Sequence, residues 1–109
     1  MLLYRPLNKA ELNLIEKSDW KKFPPRLPEQ PIFYPVLNLE YARQISIEWN
    51  VPAYGSSYIV EFKVNSEYIQ KFDIKIVGNG IHKELWIPAD EFDELNKNII
   101  GKIKLIESY

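Results

Sequence analysis

Phe23-Pro24-Pro25-Arg26-Leu27-Pro28-Glu29-Gln30-Pro31-Ile32-Phe33-Tyr34-Pro35 holds five of the eight prolines in this chain of 109 residues. Each proline fixes its own φ and deletes a backbone donor, so neither a helix nor a central strand is expected there. A flexible linker would be richer in glycine and serine and would lack the aromatics. The stretch therefore reads as a stiff, ordered loop laid across the surface of the domain.

On its N-terminal side, Leu2-Leu3-Tyr4-Arg5 reads as a short strand ended by Pro6. Asn8, with Glu11 three residues on, opens a helix as a capping-box variant. Its expected inner face carries Ala10, Leu14 and Ile15, with Glu11 and Lys17 outward, and it fades near Ser18-Asp19. On the other side Asn38 caps a second helix, with Tyr41, Ala42, Ile45 and Trp49 at helical spacing. Pro52 and Gly55 close it.

Residues 57–64 alternate cleanly and make the strongest strand. Tyr58, Val60, Phe62 and Val64 share one face; Ser57, Ile59, Glu61 and Lys63 share the other. Asn65-Ser66 starts a short helical turn through Tyr68, Ile69 and Phe72. Strands are expected at 73–77 and 82–87, separated by Gly78-Asn79-Gly80. Residues 88–96 suggest one or two helical turns carrying Phe92 and Leu95, and 99–106 a last strand with Ile103 and Leu105 inward. Tyr41, Trp49, Tyr58 and Phe62 sit at core spacing and are read as packing residues.

The order is β-α-loop-α-β-(α)-β-β-α-β, with few helices placed as full crossovers between strands. The expected fold is α+β: a mixed, mostly antiparallel sheet with two main helices and a proline-rich ordered loop. One domain over residues 1–109 suits the length, and 46% hydrophobic with 14% aromatic residues suffices for a core.

Fourteen basic and fifteen acidic side chains leave a net charge of −1. The longest basic run is Lys21-Lys22, which disfavours nucleic acid as a partner. No cysteine is present and His82 is the one histidine, which removes disulfides, thiolate nucleophiles and multi-histidine metal sites. No apolar run approaches the roughly 20 residues that span a bilayer. Met1-Leu2-Leu3-Tyr4, followed at once by Arg5 and Pro6, has no secretory pattern, and the expected compartment is the cytoplasm.

Neither a phosphate-binding glycine loop nor a G-x-S-x-G elbow occurs. What remains is a polar set at strand and loop edges: Arg5, Arg26, Tyr34, His82 and Glu84. Along 82–87, strand alternation puts His82, Glu84 and Trp86 on one face and Leu85 and Ile87 on the other. An imidazole, a carboxylate and an indole would then share a groove, unless this is an ordinary solvated edge. Arg5 could grip a phosphate through its planar fork, or simply pair with a nearby acid. Tyr34 and Phe33 could stack on a ligand ring or anchor the loop. Arg26, its backbone stiffened by Pro25, could bind an anion or clamp loop carbonyls.

Taken together, Leu3-Tyr4-Arg5-Pro6, the stretch from Phe23 to Asn38, Tyr41-Ala42, Trp49-Asn50 and Trp86-Ile87-Pro88-Ala89 resemble a family of small bacterial proteins grouped under an ADP-ribosylation/crystallin heading. More distantly, the order resembles the ADP-ribosyltransferase-like fold. That resemblance implies NAD as the ligand; no metal is expected, since cysteine is absent and His82 is the one histidine. The resemblance implies that Arg5 holds the pyrophosphate and that Tyr34 stacks near nicotinamide; Arg26, on its stiffened backbone, is read as a further cofactor-binding residue. Glu84 would be the catalytic carboxylate, and His82, two residues before it on the same expected strand face, is read as its catalytic partner. Glu84 would bond a ribose hydroxyl and oppose the positive charge that forms as nicotinamide leaves. Arginine-modifying transferases carry Glu or Gln where His82 stands, so the acceptor is left open.

The rival reading is a non-catalytic module that docks a protein partner through residues 23–35. A catalytic site requires Arg5 and Glu84 to enter one concavity. A docking surface requires a flat apolar patch around Phe23, Leu27 and Phe33.

Overall fold

The structure, a computed structural model, describes residues 1–26, 29–78 and 80–109. Leu27 and Pro28 of the proline-rich stretch, and Asn79 of the glycine turn, lie outside the described residues. In chain order the elements are β1 (Leu2–Leu7), α1 (Lys9–Lys17), β2 (Ile32–Phe33), α2 (Leu39–Ile45), a π-helical turn (Ser46–Asn50), α3 (Val51–Tyr54), β3 (Tyr58–Val64), α4 (Ser66–Ile69), β4 (Ile74–Ile76), β5 (Lys83–Leu85), β6 (Ile87–Pro88), a 3-10 turn (Ala89–Glu91), α5 (Phe92–Lys97) and β7 (Ile99–Ser108). The protein is α+β, and every strand pairing among the described residues is antiparallel.

One wing of the sheet has the order β1-β3-β7, and the other is the hairpin of β4 with β5. The proline-rich stretch joins them. Residues 32–36 run antiparallel to 84–88, from the pair Ile32 with Pro88 to the bridge Val36 with Glu84. On its other edge Val36 exchanges two backbone bonds with Tyr4, of 3.0 and 2.8 Å. The end of a stretch expected to stay out of any central strand thus lies in the middle of the sheet.

Proline spacing makes this workable. Successive peptide groups of a strand point to opposite edges. Pro31 and Pro35 both offer carbonyls toward the 84–89 side, accepting from Ala89 and Leu85 at 2.9 and 3.0 Å. Val36, between Pro35 and Leu37, keeps the N–H needed by Tyr4. Pro6, expected to end β1, instead lies inside it opposite Ile59. Its missing N–H falls on the edge that Tyr4 turns toward Val36. The ladder to the proline stretch cannot continue there, and the two chains part.

Two apolar clusters flank the sheet. The larger gathers Leu3, Leu12, Ile15, Phe23, Phe33, Phe62, Leu85, Ile87, Phe92 and Leu95; the smaller holds Val36, Ala42 and Ile59. Phe33 sits 5.0 Å from both Phe23 and Phe92, the Phe92 ring nearly edge-on. Full burial of such a ring contributes about 1.5–3 kcal/mol. β3 is covered on both faces, since Ile59 and Val60 are both buried. No helix among the described residues is long and apolar enough to cross a membrane.

Several expected faces are corrected. In α1, Leu12 and Ile15 are buried while Ala10 and Leu14 are exposed. Trp49, read as core, is 70% exposed, because the π-helical turn adds a residue and rotates it off the buried stripe. Leu105 is exposed while Ile103 is buried. Register shifts against β3 break the simple alternation of β7.

The corrected α1 face is testable by urea denaturation. Leu12→Ala is expected to cost about 2–5 kcal/mol, as for other buried leucines. Leu14→Ala should stay within about 0.5 kcal/mol. Equal losses at the two positions would contradict this orientation.

Candidate functional site

Where β1 parts from the proline stretch, a cleft of about 250 Å³ opens, lined among others by Arg5, Asn8, Glu11, Tyr34, Asn50 and Glu84. Three of the five residues singled out from the sequence therefore meet at one concavity. They reach it from different directions. Arg5 projects on the face of Leu3 and Leu7, toward the larger cluster. Glu84 projects with its partner Val36 toward the smaller one.

Arg5 is held in place by its own neighbours. Its Nε and one terminal nitrogen donate to the two carboxylate oxygens of Glu11 at 2.6 and 2.8 Å. The guanidinium carbon lies 4.6 Å from the centre of the buried Phe33 ring, a cation–π arrangement. Glu11, expected to point outward, is drawn in by this pair. It stands four residues before buried Ile15, so both lie on one helix face. Asn8 caps α1 by accepting from the Glu11 N–H at 2.9 Å, which fixes the first turn beside β1.

Glu84 is a buried carboxylate, 9% exposed, and both of its oxygens have donors. The Tyr41 hydroxyl donates to Oε2 at 3.0 Å and the Trp86 indole Nε1 to Oε1 at 2.7 Å. Burial first, then this bond and the charge of Glu84, pushes the Tyr41 phenol up to about 12. The phenol thus remains a donor across the physiological range. Tyr41 was legible only as a packing residue, because its hydroxyl partner lies 43 positions away. The pairing of Glu84 with Trp86 follows directly from their i, i+2 spacing on one strand face.

His82 does not line the cleft. Its ring stacks on Tyr41 at 4.6 Å and 20°, and Nε2 lies 2.9 Å from Gln44 Oε1, where an N–H at Nε2 donates. Tyr34 meets Trp86 nearly edge-on at 5.9 Å, completing the chain of rings around Glu84.

Arg26 lies elsewhere. It stacks on Phe33 at 5.5 Å and donates to the Ile32 carbonyl at 3.1 Å. It borders a different hollow of about 480 Å³ with Leu14, Phe23, Phe92 and Asn96. Burial, then the neighbouring Arg5, lowers its pKa. Among the described residues no group of acidic and histidine side chains is placed to hold a metal ion.

Comparison with protein-family models, with curated proteins and with solved structures finds no match to this chain.

The Tyr41–Glu84 bond has a pH signature. The folded-state phenol titrates above its unfolded value of about 10, so its contribution is complete below that pH. It is lost as pH rises toward about 12. Tyr41→Phe should lower stability at neutral pH by about 1–3 kcal/mol by leaving a buried acceptor short of a donor. It should also shrink the alkaline loss, without abolishing it, because burial and Glu91 push the Tyr68 phenol up as well. Denaturant midpoints across alkaline pH check this, and an unchanged profile in Tyr41→Phe contradicts the assignment.

Proposed function

We propose that the cleft binds a nucleotide of the NAD class, and that Glu84 serves cleavage of the bond between nicotinamide and ribose. The observation that carries this reading is the meeting of Arg5, Tyr34 and Glu84 at one hollow. These are the three residues that the likeness to ADP-ribosyltransferase-like proteins implies. The antiparallel α+β architecture agrees with that likeness at the level of class.

A hollow near 250 Å³ is smaller than the roughly 300–1,000 Å³ usual for ligand pockets. It suits the nicotinamide–ribose end, with the rest of the dinucleotide crossing the surface past Tyr34. Arg5 supplies positive charge for the pyrophosphate and Tyr34 a ring face. Glu84 stays fixed between Tyr41 and Trp86, opposing charge that develops on ribose as the electron pair leaves with nicotinamide and water or an acceptor group, releasing its proton to solvent, bonds to the anomeric carbon. His82 acts through Tyr41 as a positioning residue. Arg26 adds only its charge, from behind Phe33.

Docking through residues 23–35 has less support. Phe23 and Phe33, two of the three side chains it needs exposed, are buried at 2% and 0%.

Isothermal titration with NAD is the test. Wild-type protein should bind. Tyr34→Ala, at an exposed position, should bind several-fold more weakly, and Glu84→Gln should keep affinity while losing nicotinamide release. Absence of heat from the wild type removes the proposal. Binding without nicotinamide release from the wild type leaves a nucleotide-binding domain and removes the catalytic role of Glu84.

A further inference from the structure

Beyond the cleft, the two outer edges of the sheet differ in kind. β7 carries Lys102 and Lys104, a left-handed Gly101 with φ of 73°, and register shifts against β3. Such features blunt a strand edge against further pairing. β4 has none of them within its three residues beyond a single lysine. Ile74 and Ile76 are 49% and 63% exposed.

The register of β4 on β5 fixes which peptide groups are free. Ile74 faces Leu85, Lys75 faces Glu84 and Ile76 faces Lys83, and the next residue, Val77, donates to the His82 carbonyl at 2.8 Å. Lys75 and Val77 therefore turn their peptide groups toward β5. Ile74 and Ile76 turn theirs outward. Among the described residues, β4 pairs with no strand other than β5.

We propose that this edge pairs with the same edge of a second copy of the chain, antiparallel about a two-fold axis through Ile74. In that register the two copies of Ile74 exchange backbone bonds, and Phe72 comes opposite Ile76. Asp73 of each copy comes opposite Lys75 of the other, in the close, non-hydrogen-bonded kind of pair, about 4.5 Å between Cα atoms. The stretch Phe72-Asp73-Ile74-Lys75-Ile76 is thus self-complementary: apolar meets apolar, and acid meets base. Centring the axis one residue later would set lysine against lysine. Neither Asp73 nor Lys75 has an ion-pair partner within its own chain among the described residues. Lys75 instead rests over the half-exposed Trp86 ring at 5.7 Å, on the strand face from which Asp73 of the second copy would approach. An isologous contact of this kind closes on itself and stops at the dimer.

Sedimentation velocity over a concentration series of the full chain tests this. Wild type should show a monomer–dimer equilibrium. Asp73→Lys and Lys75→Asp, each creating two like-charge pairs per dimer, should each raise Kd by about tenfold or more. The double variant D73K/K75D, which restores opposite charges, should recover dimerisation. That recovery also shows that loss in the single variants is not misfolding. A wild type that stays monomeric overturns the proposal. So does a dimer indifferent to the single reversals, or a double variant no better than either single one.

Discussion

Two backbone hydrogen bonds between Val36 and Tyr4 hold the two wings of the sheet together, and much else follows from their being alone among the described residues. Two residues beyond the bridge on β1 stands Pro6, which has no N–H to donate on the edge that Tyr4 turns toward Val36, so β1 adds no donor in the direction where the ladder would extend. A sheet continuous through this point would bury its centre completely. Joined at one residue, it opens just beyond the bridge, and the opening is the polar cleft.

The polar groups at that opening are stabilised by arrangements that a closed sheet would not need. Arg5 lies between an acid and an aromatic face, Glu11 and Phe33. Glu84 lies between two ring donors, Tyr41 and Trp86. A buried charge without partners is costly, and removing one member of such a pair strands the other. The α1 cap at Asn8 and the ring stack of His82 on Tyr41 therefore serve the same end from opposite faces of the sheet. They fix the orientation of the groups that hold the two charges.

Local pattern made much of the fold legible. Alternation located β3, the asparagine caps at 8, 38 and 65 located their helices, and antiparallel pairing followed from the scarcity of crossovers. Proline was misread for a definite reason. Pro31 and Pro35 take part in the ladder to 84–89 as acceptors only, through their carbonyls, so a missing donor costs a bond without excluding the residue. Trp49 and Leu105 were misread because a π-helical turn and a β-bulge each shift the phase of a repeat without marking it in composition. At the site, the strand face of Glu84 and Trp86 was legible from i, i+2 spacing. Glu11 could have been placed from its position one turn before Ile15. Tyr41 could not, since its role depends on a partner brought by tertiary structure.

The occupied state of the two charges leaves room for a ligand. An ionised carboxylate has about four acceptor sites, and a guanidinium five donors. Tyr41 and Trp86 use one site on each oxygen of Glu84, and Glu11 engages two nitrogens of Arg5. On the proposed reading, a ribose hydroxyl donates to Glu84 without displacing either ring donor, and a phosphate oxygen accepts from Arg5 without breaking its pair. Held groups of this kind meet a ligand with little entropy left to lose. For packing alone, an aliphatic side chain at position 84 would extend the Val36–Ile59 cluster with no desolvation cost. A carboxylate there keeps acceptor sites on the cleft side that an aliphatic side chain would lack, which is what the proposed reading uses.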